Sequence, residues 1–379
     1  MPVSDPAPRP DIAVLLATSG HSGVDRVMSN LLTAWAEAGL AVDLLGIHGH
    51  GPHLADPPPG LRRVPLPARH VNTALPALLG YLRRVRPPLL LTDKDRVNRL
   101  ALLAATLAGG HTRVAVRLGT TVSVNLAGRG RAERALQRWS MRRLYPRATA
   151  ILTPSAGAAD DLCAFAGLPR GRVQVVPSPV LGATLAVRAA QPAREVHWPD
   201  DGVPTVLAIG ELCARKDFAT LLHAFARVRA TRPCRLVILG EGRQRAPLTA
   251  LAARLGIAPD LQLPGFVANP YPHLSRAALF VLSSRCEGMP VALIEALACG
   301  IPTVSTDCPS GPRELLRDGR IGPLVPVGDV GALAAAMAAT LNAPPPAQAL
   351  RDAAAPYAIP RAAGAYLDAL GLPRPAALA

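Results

Sequence analysis

The feature that most constrains this chain is an alternation that runs along it twice. Short apolar, β-branched runs are each followed by longer segments with helical periodicity, which is the pattern of parallel sheets with crossover helices. In the first series the runs at 12–18, 42–47, 89–92, 114–117, 150–153 and 173–176 read as strands. The segments at 24–38, 73–84, 96–108, 131–144 and 155–165 read as helices between them. Ser155, with Asp160 and Asp161 behind it, puts a capping residue and acids early in the last of these. A stretch rich in Pro and Ala and without periodicity follows at 177–204. The second series has strands expected at 205–209, 235–239, 261–266, 278–282 and 302–305, and helices at 218–230, 243–255, 290–299 and 328–341. PPPAQ at 344–348 punctuates its end, and a last apolar helix is expected at 361–370.

The expected class is therefore α/β, with two doubly wound, Rossmann-like domains at 1–178 and 204–345. A linker at 179–203 joins them, and a helical tail at 346–379 follows, its helix expected to cross back to the first domain. Ligands of such sheets bind beyond the carboxyl ends of the strands, so two such domains are expected to face a central cleft.

Length and composition agree. A chain of 379 residues, half of them apolar, can bury two cores and is not a disordered polymer. Its charge is uneven: 41 Lys and Arg against 26 Asp and Glu, for a net +15. Only Lys94 and Lys216 are lysines, which leaves 39 arginines. A basic excess points to nucleic acid or an anionic membrane, and equally to compositional drift toward Arg, Ala, Gly and Pro. Aromatic residues make up 3%, too little material for stacking single-stranded bases. The six cysteines form no C-x-x-C pair and read as reduced thiols. The start, MPVSDPAPRPD, lacks a signal-peptide core. The longest apolar stretch, 100–110, is about 11 residues, short of the roughly 20 that span a bilayer. These features predict a cytoplasmic protein whose membrane contact, if any, is peripheral.

Three loops lie where such sheets bind ligands. The first, Ser19-Gly20-His21-Ser22-Gly23, precedes a helix whose N-terminus suits an anion, but it lacks G-x-G-x-x-G spacing. His21 in that loop is a candidate substrate contact. The second, 210–218, reads Gly-Glu-Leu-Cys-Ala-Arg-Lys-Asp-Phe. A chain so committed to arginine that keeps Lys216 here points to a compact point charge rather than a planar fork. Asp217 supplies early negative charge to the following helix. The third runs from Ser283 through Glu287, Gly288, Met289 and Pro290 into a helix that is apolar nearly all round, stopped by Gly300 and Pro302. Glu295 is the only charge in that helix, and a carboxylate in such a setting needs a partner, protein or ligand. His48-Gly49-His50-Gly51-Pro52-His53 has histidines but no neighbouring acids and reads as a loop rather than a metal site.

The third loop carries a specific likeness. E-G-x-P-x-x-x-x-E-A-x-A-x-G-x-P-x-x-S, standing at 287–305, resembles the signature of the retaining glycosyltransferases of family 4, the group 1 transferases, which have the GT-B fold. The likeness extends to Gly240-Glu241-Gly242, PGFVANPYPHL (264–274), FVLSSRCEG (280–288) and STDCPSGPRELL (305–316), dense over the second domain and loose over the first.

The resemblance implies a nucleotide-diphosphate sugar, a UDP-sugar by expectation, held mainly by the second domain, and an acceptor met by the first. It implies that Glu287 and the backbone of Gly288, Met289 and Pro290 hold the donor sugar, and that Glu295 hydrogen-bonds the ribose. Phe266 and Val267 would lie near the base, and Gly210 and Gly240 would be among the donor-binding residues. Lys216 would neutralise the departing diphosphate, with the amides of Ser22, Gly23 and Val24 in support. No metal and no further cofactor is implied. In two places the chain departs from the family pattern: Glu211 stands where the family commonly has Arg, and Arg117-Leu118-Gly119-Thr120-Thr121 stands where it often has His. Arg215 is the expected replacement cation, and Arg117 and Thr120 are the expected acceptor contacts.

The leading expectation is a retaining, metal-independent hexosyltransferase of surface polysaccharide or lipopolysaccharide synthesis. It would act on a glycan or lipid-linked acceptor at the inner face of the cell membrane. A catalytically degenerate nucleotide-sugar binder of the same fold is the alternative. A GT-B epimerase or phosphorylase would need catalytic acids or a cofactor lysine context that the sequence lacks. Residues 1–200 hold 24 cations and 13 acids, and residues 201–379 hold 17 and 13. The excess thus sits on the acceptor half, which favours an anionic membrane or lipid-phosphate acceptor over nucleic acid.

Overall fold

The structure, a computed structural model, describes residues 9–18, 20, 23–52, 54, 56–199 and 201–378. The chain forms two compact units, one of residues 1–180 and 359–379, the other of 181–358.

The first unit is built on β1 (Ile12–Leu16), β2 (Val42–Ile47), β3 (Leu61–Leu66), β4 (Leu89–Asp93), β5 (Arg113–Arg117), β6 (Ala150–Thr153) and β7 (Val173–Val175). They pair in the order β3-β2-β1-β4-β5-β6-β7, every pair parallel. The second unit carries β8 (Thr205–Ile209), β9 (Arg235–Leu239), β10 (Leu261–Gly265), β11 (Leu279–Leu282), β12 (Thr303–Thr306) and β13 (Leu324–Val325) in the order β10-β9-β8-β11-β12-β13, again parallel. Parallel sheets buried on both faces need continuous apolar strands, and IAVLL in β1 and LFVL in β11 are buried at every position.

Two strands escape the sequence pattern. β3, LRRVPL, is an edge strand with two arginines and a proline, tolerable only where one side of the ladder is free. Arg62 in it reaches back to Asp43 of β2 through Nε and Nη2 at 2.8 and 2.7 Å, and the Tyr81 hydroxyl donates to the same carboxylate at 2.6 Å. β13 is two residues long and carries no period.

The 179–203 stretch is not a free linker. From Leu181 it belongs to the second unit, where it forms a short helix, Leu185–Ala189. The Trp198 indole donates to His273 Nδ1 at 3.3 Å, while His273 Nε2 lies 3.1 Å from Glu195. Burial holds the His273 pKa below its ordinary value against the pull of Glu195. The tail is also divided: Ala347–Ala354 is a helix of the second unit, whereas Ile359–Leu370 returns to the first. On one face of the first sheet Ala363, Tyr366, Leu367 and Leu370 join Met28, Leu31 and Trp35 in a single core. Trp35 Nε1 donates to the Ala363 carbonyl at 3.2 Å, and its ring meets Tyr366 edge-on at 6.4 Å.

Candidate active site

In the second sheet the chain runs outward from β8 to β9 and β10, then returns to the other side of β8 for β11, β12 and β13. The order therefore reverses between β8 and β11, and the crevice beyond such a switch point is where doubly wound sheets bind ligands. The loops leaving these two strands are 210–217 and 283–290, the second and third of the loops singled out in the sequence.

The structure joins them at Glu287. Lys216 Nζ donates to Glu287 Oε1 at 2.7 Å, and Arg215 Nη1 lies 3.1 Å from Oε2. The Ser284 hydroxyl donates to Oε1 at 2.7 Å. Backbone ties fix the approach: Ser283 Oγ donates to the Lys216 carbonyl at 2.8 Å, and the Arg285 amide to the Arg215 carbonyl at 2.8 Å. From the other side the Glu287 amide donates to the Pro309 carbonyl at 2.7 Å, and the Ser310 amide to the Glu287 carbonyl at 2.9 Å. A second ion pair, Arg285 to Asp217 at 3.0 Å, bridges the same two loops. Ser310 and this ion pair were not foreseen, because each is set by pairing between loops distant in the sequence, whereas Ser284 bonds Glu287 from three residues away in the same loop.

Electrostatics follow from burial. Lys216 is 9% exposed. Burial alone would raise the Glu287 pKa, but Lys216 and then Arg215, with hydrogen bonds from Lys216 and Ser284, hold it below its ordinary value. Two guanidinium or ammonium cations sharing one carboxylate leave a net positive centre, suited to an incoming anion.

Two glycines are required by the packing. A Cβ on Gly210 would sit 2.8 Å from Lys216 Cε, so the lysine stem lies across bare backbone. Gly240 has φ 148°, and a Cβ there would come within 1.9 Å of the Gly210 carbonyl oxygen. Gly288 and Met289 lead into the helix Val291–Ala298. The sequence puts Pro290 at its first helical position; the structure makes Pro290 the N-cap, with extended ψ 101°. Glu295 lies one turn into that helix and is 2% exposed. Burial and the Glu295 charge push the Cys299 thiol up to about 11. Val267 is buried, whereas Phe266 next to it is 75% exposed.

The first unit offers less. His21 and Ser22 lie outside the described residues. Gly23 and Val24 open the helix Gly23–Glu37. Arg117, expected at an acceptor, is instead buried in the core: Nη1 donates to Asp93 Oδ2 at 2.8 Å and Nε to the Tyr366 hydroxyl at 2.7 Å. Its guanidinium ties the end of β5 to β4 and to the returning helix, a contact that sequence periodicity could not foresee. Thr120 is exposed and accepts from Asn125 Nδ2 at 2.5 Å. His48 and His50 line a cavity of about 1100 Å³ beside β2 and β3, with Arg63, Arg69 and His70; His53 lies outside the described residues.

Two family descriptions match the chain in sequence. A glycosyl transferase 4-like domain covers residues 22–179, and the glycosyl transferases group 1 description covers 203–343, the segment holding Lys216, Glu287 and Glu295. The chain belongs to the group 1 glycosyltransferases. Among relatives of this family, the Campylobacter jejuni N-acetylgalactosamine-N,N'-diacetylbacillosaminyl-diphospho-undecaprenol 4-alpha-N-acetylgalactosaminyltransferase is 31% identical over 233 residues. That alignment spans 62% of this chain and 61% of the relative, so the chain matches under two thirds of its length. Among solved structures, the lipopolysaccharide outer core galactosyltransferase WaaB superposes with a TM-score of 0.74 at 18% identity, over 95% of this chain and 99% of its own. The Anabaena HepE structure in complex with UDP gives 0.75 at 14% identity over the same shares. At such identities the likeness is one of fold, and the group 1 transferase has the GT-B architecture of its neighbours.

Proposed function

We propose that the protein transfers a hexosyl unit from a UDP-sugar to a glycan or lipid-linked acceptor in surface polysaccharide synthesis. The anomeric configuration is retained and no metal is needed. The observation that carries this reading is the meeting of Lys216, Arg215 and Glu287 at the switch point of the second sheet. Fixed cations there would stabilise the charge that develops on a departing diphosphate, the largest electrostatic demand of the reaction.

In this scheme the bond from the anomeric carbon to the diphosphate oxygen breaks, with the electron pair leaving on the diphosphate. Lys216 and Arg215, fixed beside Glu287, face that charge. Glu287, with the amides at Gly288 and Met289 and the backbone at Pro290, holds the sugar hydroxyls, and Glu295 holds the ribose. Phe266 and Val267 lie near the base. The acceptor hydroxyl adds to the same face of the oxocarbenium-like sugar and gives its proton to the leaving phosphate oxygen, so atoms and charge balance. The family supports transfer; the Campylobacter relative, named for a diphospho-undecaprenol acceptor, supports a lipid-linked one, and the UDP complex of HepE supports the nucleotide. The cytoplasmic face of a membrane is where such an acceptor would be met. Among the described residues no helix is long and apolar enough to cross a bilayer.

A thermal-shift screen against UDP-, GDP- and ADP-sugars tests the donor, since a ligand of the folded state raises its stability by mass action. UDP-sugars are expected to raise Tm. Transfer in the presence of chelator, with the product anomer read by NMR, tests retention and metal independence. Glu211 at the position where the family commonly has Arg favours one other reading, a binder without turnover; donor binding with neither transfer nor hydrolysis would establish it.

A further inference from the structure

The helix Arg131–Leu144, with the sequence RAERALQRWSMRRL, is not explained by the donor site. Only Ser140 and Met141 of it are buried, with Gln137 alongside donating to Asp95 Oδ2 at 2.7 Å. Spacings of three, four and seven put Ala132, Leu136, Trp139 and Arg143 on the opposite side, with Arg131, Ala135 and Arg142 next to them. Leu136 is 64% exposed and Trp139 59%, among the most exposed large apolar side chains of the described residues. Five arginines stand in this helix against one acid, Glu133, which itself lies 3.5 Å from Arg129. An exposed Trp and Leu side by side on one helix face, rimmed by cations, form the kind of apolar patch that marks a membrane or partner contact.

We propose that this outer face seats the protein on an anionic bilayer surface. Charge complementarity selects the occupant. A helix with a basic polar rim and a Trp–Leu apolar ridge, lying flat, places its apolar side chains at the headgroup–acyl boundary and its cations among lipid phosphates. The Trp indole suits that boundary because one end is apolar and the N–H finds a wet partner. The ridge carries only two large apolar side chains, Leu136 and Trp139, fewer than the clustered anchors of a protein–protein hot spot. Arg138 is held inward, its Nε donating to the Phe165 carbonyl at 2.7 Å, and Arg134 shares the side of Gln137 and Met141, so Arg131, Arg142 and Arg143 are the cations that meet the lipid. The proposal gives the membrane contact of the function above a definite surface. Its test uses neither donor nor acceptor, so the two fail separately.

The full-length protein is co-sedimented with vesicles of phosphatidylglycerol and phosphatidylcholine, and with phosphatidylcholine alone. Binding is expected on the anionic vesicles only and is expected to weaken as salt is raised. Arg142→Glu with Arg143→Glu is expected to lower the partition coefficient by about tenfold or more. Trp139→Ala is expected to lower it several-fold. Arg254→Glu, a charge reversal on an exposed helix end of the second unit, is expected to leave it unchanged. Circular dichroism and melting temperature check that each variant folds, as substitutions on an exposed face should allow. Equal binding to neutral vesicles, a folded double variant that binds like the parent, or no binding to either vesicle would overturn the proposal.

Discussion

The two sheets invite a direct comparison, because each reverses its strand order once, between β1 and β4 in the first and between β8 and β11 in the second. Each of the chain's two lysines stands in a loop at one of these points: Lys94 just after β4, Lys216 in the loop after β8. There the likeness ends. In the second unit the switch point is a tight polar cradle, with Lys216 and Arg215 on Glu287 and both loops stitched by backbone hydrogen bonds. In the first, Lys94 is exposed, with φ 73°, and the nearby charge is turned inward, where Asp93 accepts from the Lys94 amide at 2.8 Å and pairs with Arg117. Similar topology thus carries a net positive charge cluster held between loops on one side and a core ion pair on the other. The difference is where the cations point, toward the strand ends or into the core.

The largest expected effect breaks the structural cluster. Arg117→Met leaves Asp93 buried without its cation and is expected to cost about 3–5 kcal/mol of stability, read by denaturant unfolding. Donor affinity of whatever remains folded is expected to hold; a loss of UDP affinity without a loss of stability would show that the two clusters are not separate in role. Next, Gly210→Ala pushes a methyl against the Lys216 stem, an overpacking expected to cost about 1–3 kcal/mol and to weaken UDP in calorimetric titration. Smaller still, Tyr366→Phe removes one hydrogen bond to Arg117 and is expected to cost about 1 kcal/mol in the same unfolding assay, with UDP binding unchanged.

The pH dependence sharpens the comparison further. Glu287 has a folded pKa below its ordinary 4.5, so its contribution to stability is fully present above that value. It is lost as pH falls through the lower, folded value. Melting curves across the acid range for the parent and for Glu287→Gln should therefore converge toward low pH. A gap that stays constant would mean that the carboxylate is not the charged partner of Lys216 and Arg215.

How much of this was legible in the sequence depended on what each residue answers to. Strands buried on both faces, such as IAVLL and LFVL, announce themselves because every position must be apolar. β3 does not, since an edge strand can hold Arg62, Arg63 and Pro65. The 287–305 signature was legible because Glu287, Gly288 and Pro290 crowd into one loop, and Lys216 because it broke an arginine habit. The fate of Arg117 was not: its partners, Asp93 and Tyr366, lie 24 and 249 residues away, and nothing local tells a buried arginine from an exposed one. The stretch at 179–203 misled for a related reason. Aperiodic, Pro-rich sequence resembles a linker even where Glu195 and Trp198 fasten it to His273.

The central claim is that Lys216 meets the diphosphate of the donor, and calorimetric titration of UDP against uridine tests it most directly. The parent protein should bind UDP at least about tenfold tighter than uridine, a preference of about 1.4 kcal/mol or more. In Lys216→Ala that preference should largely vanish while uridine affinity stays the same. A variant that keeps the full preference for UDP would contradict the account.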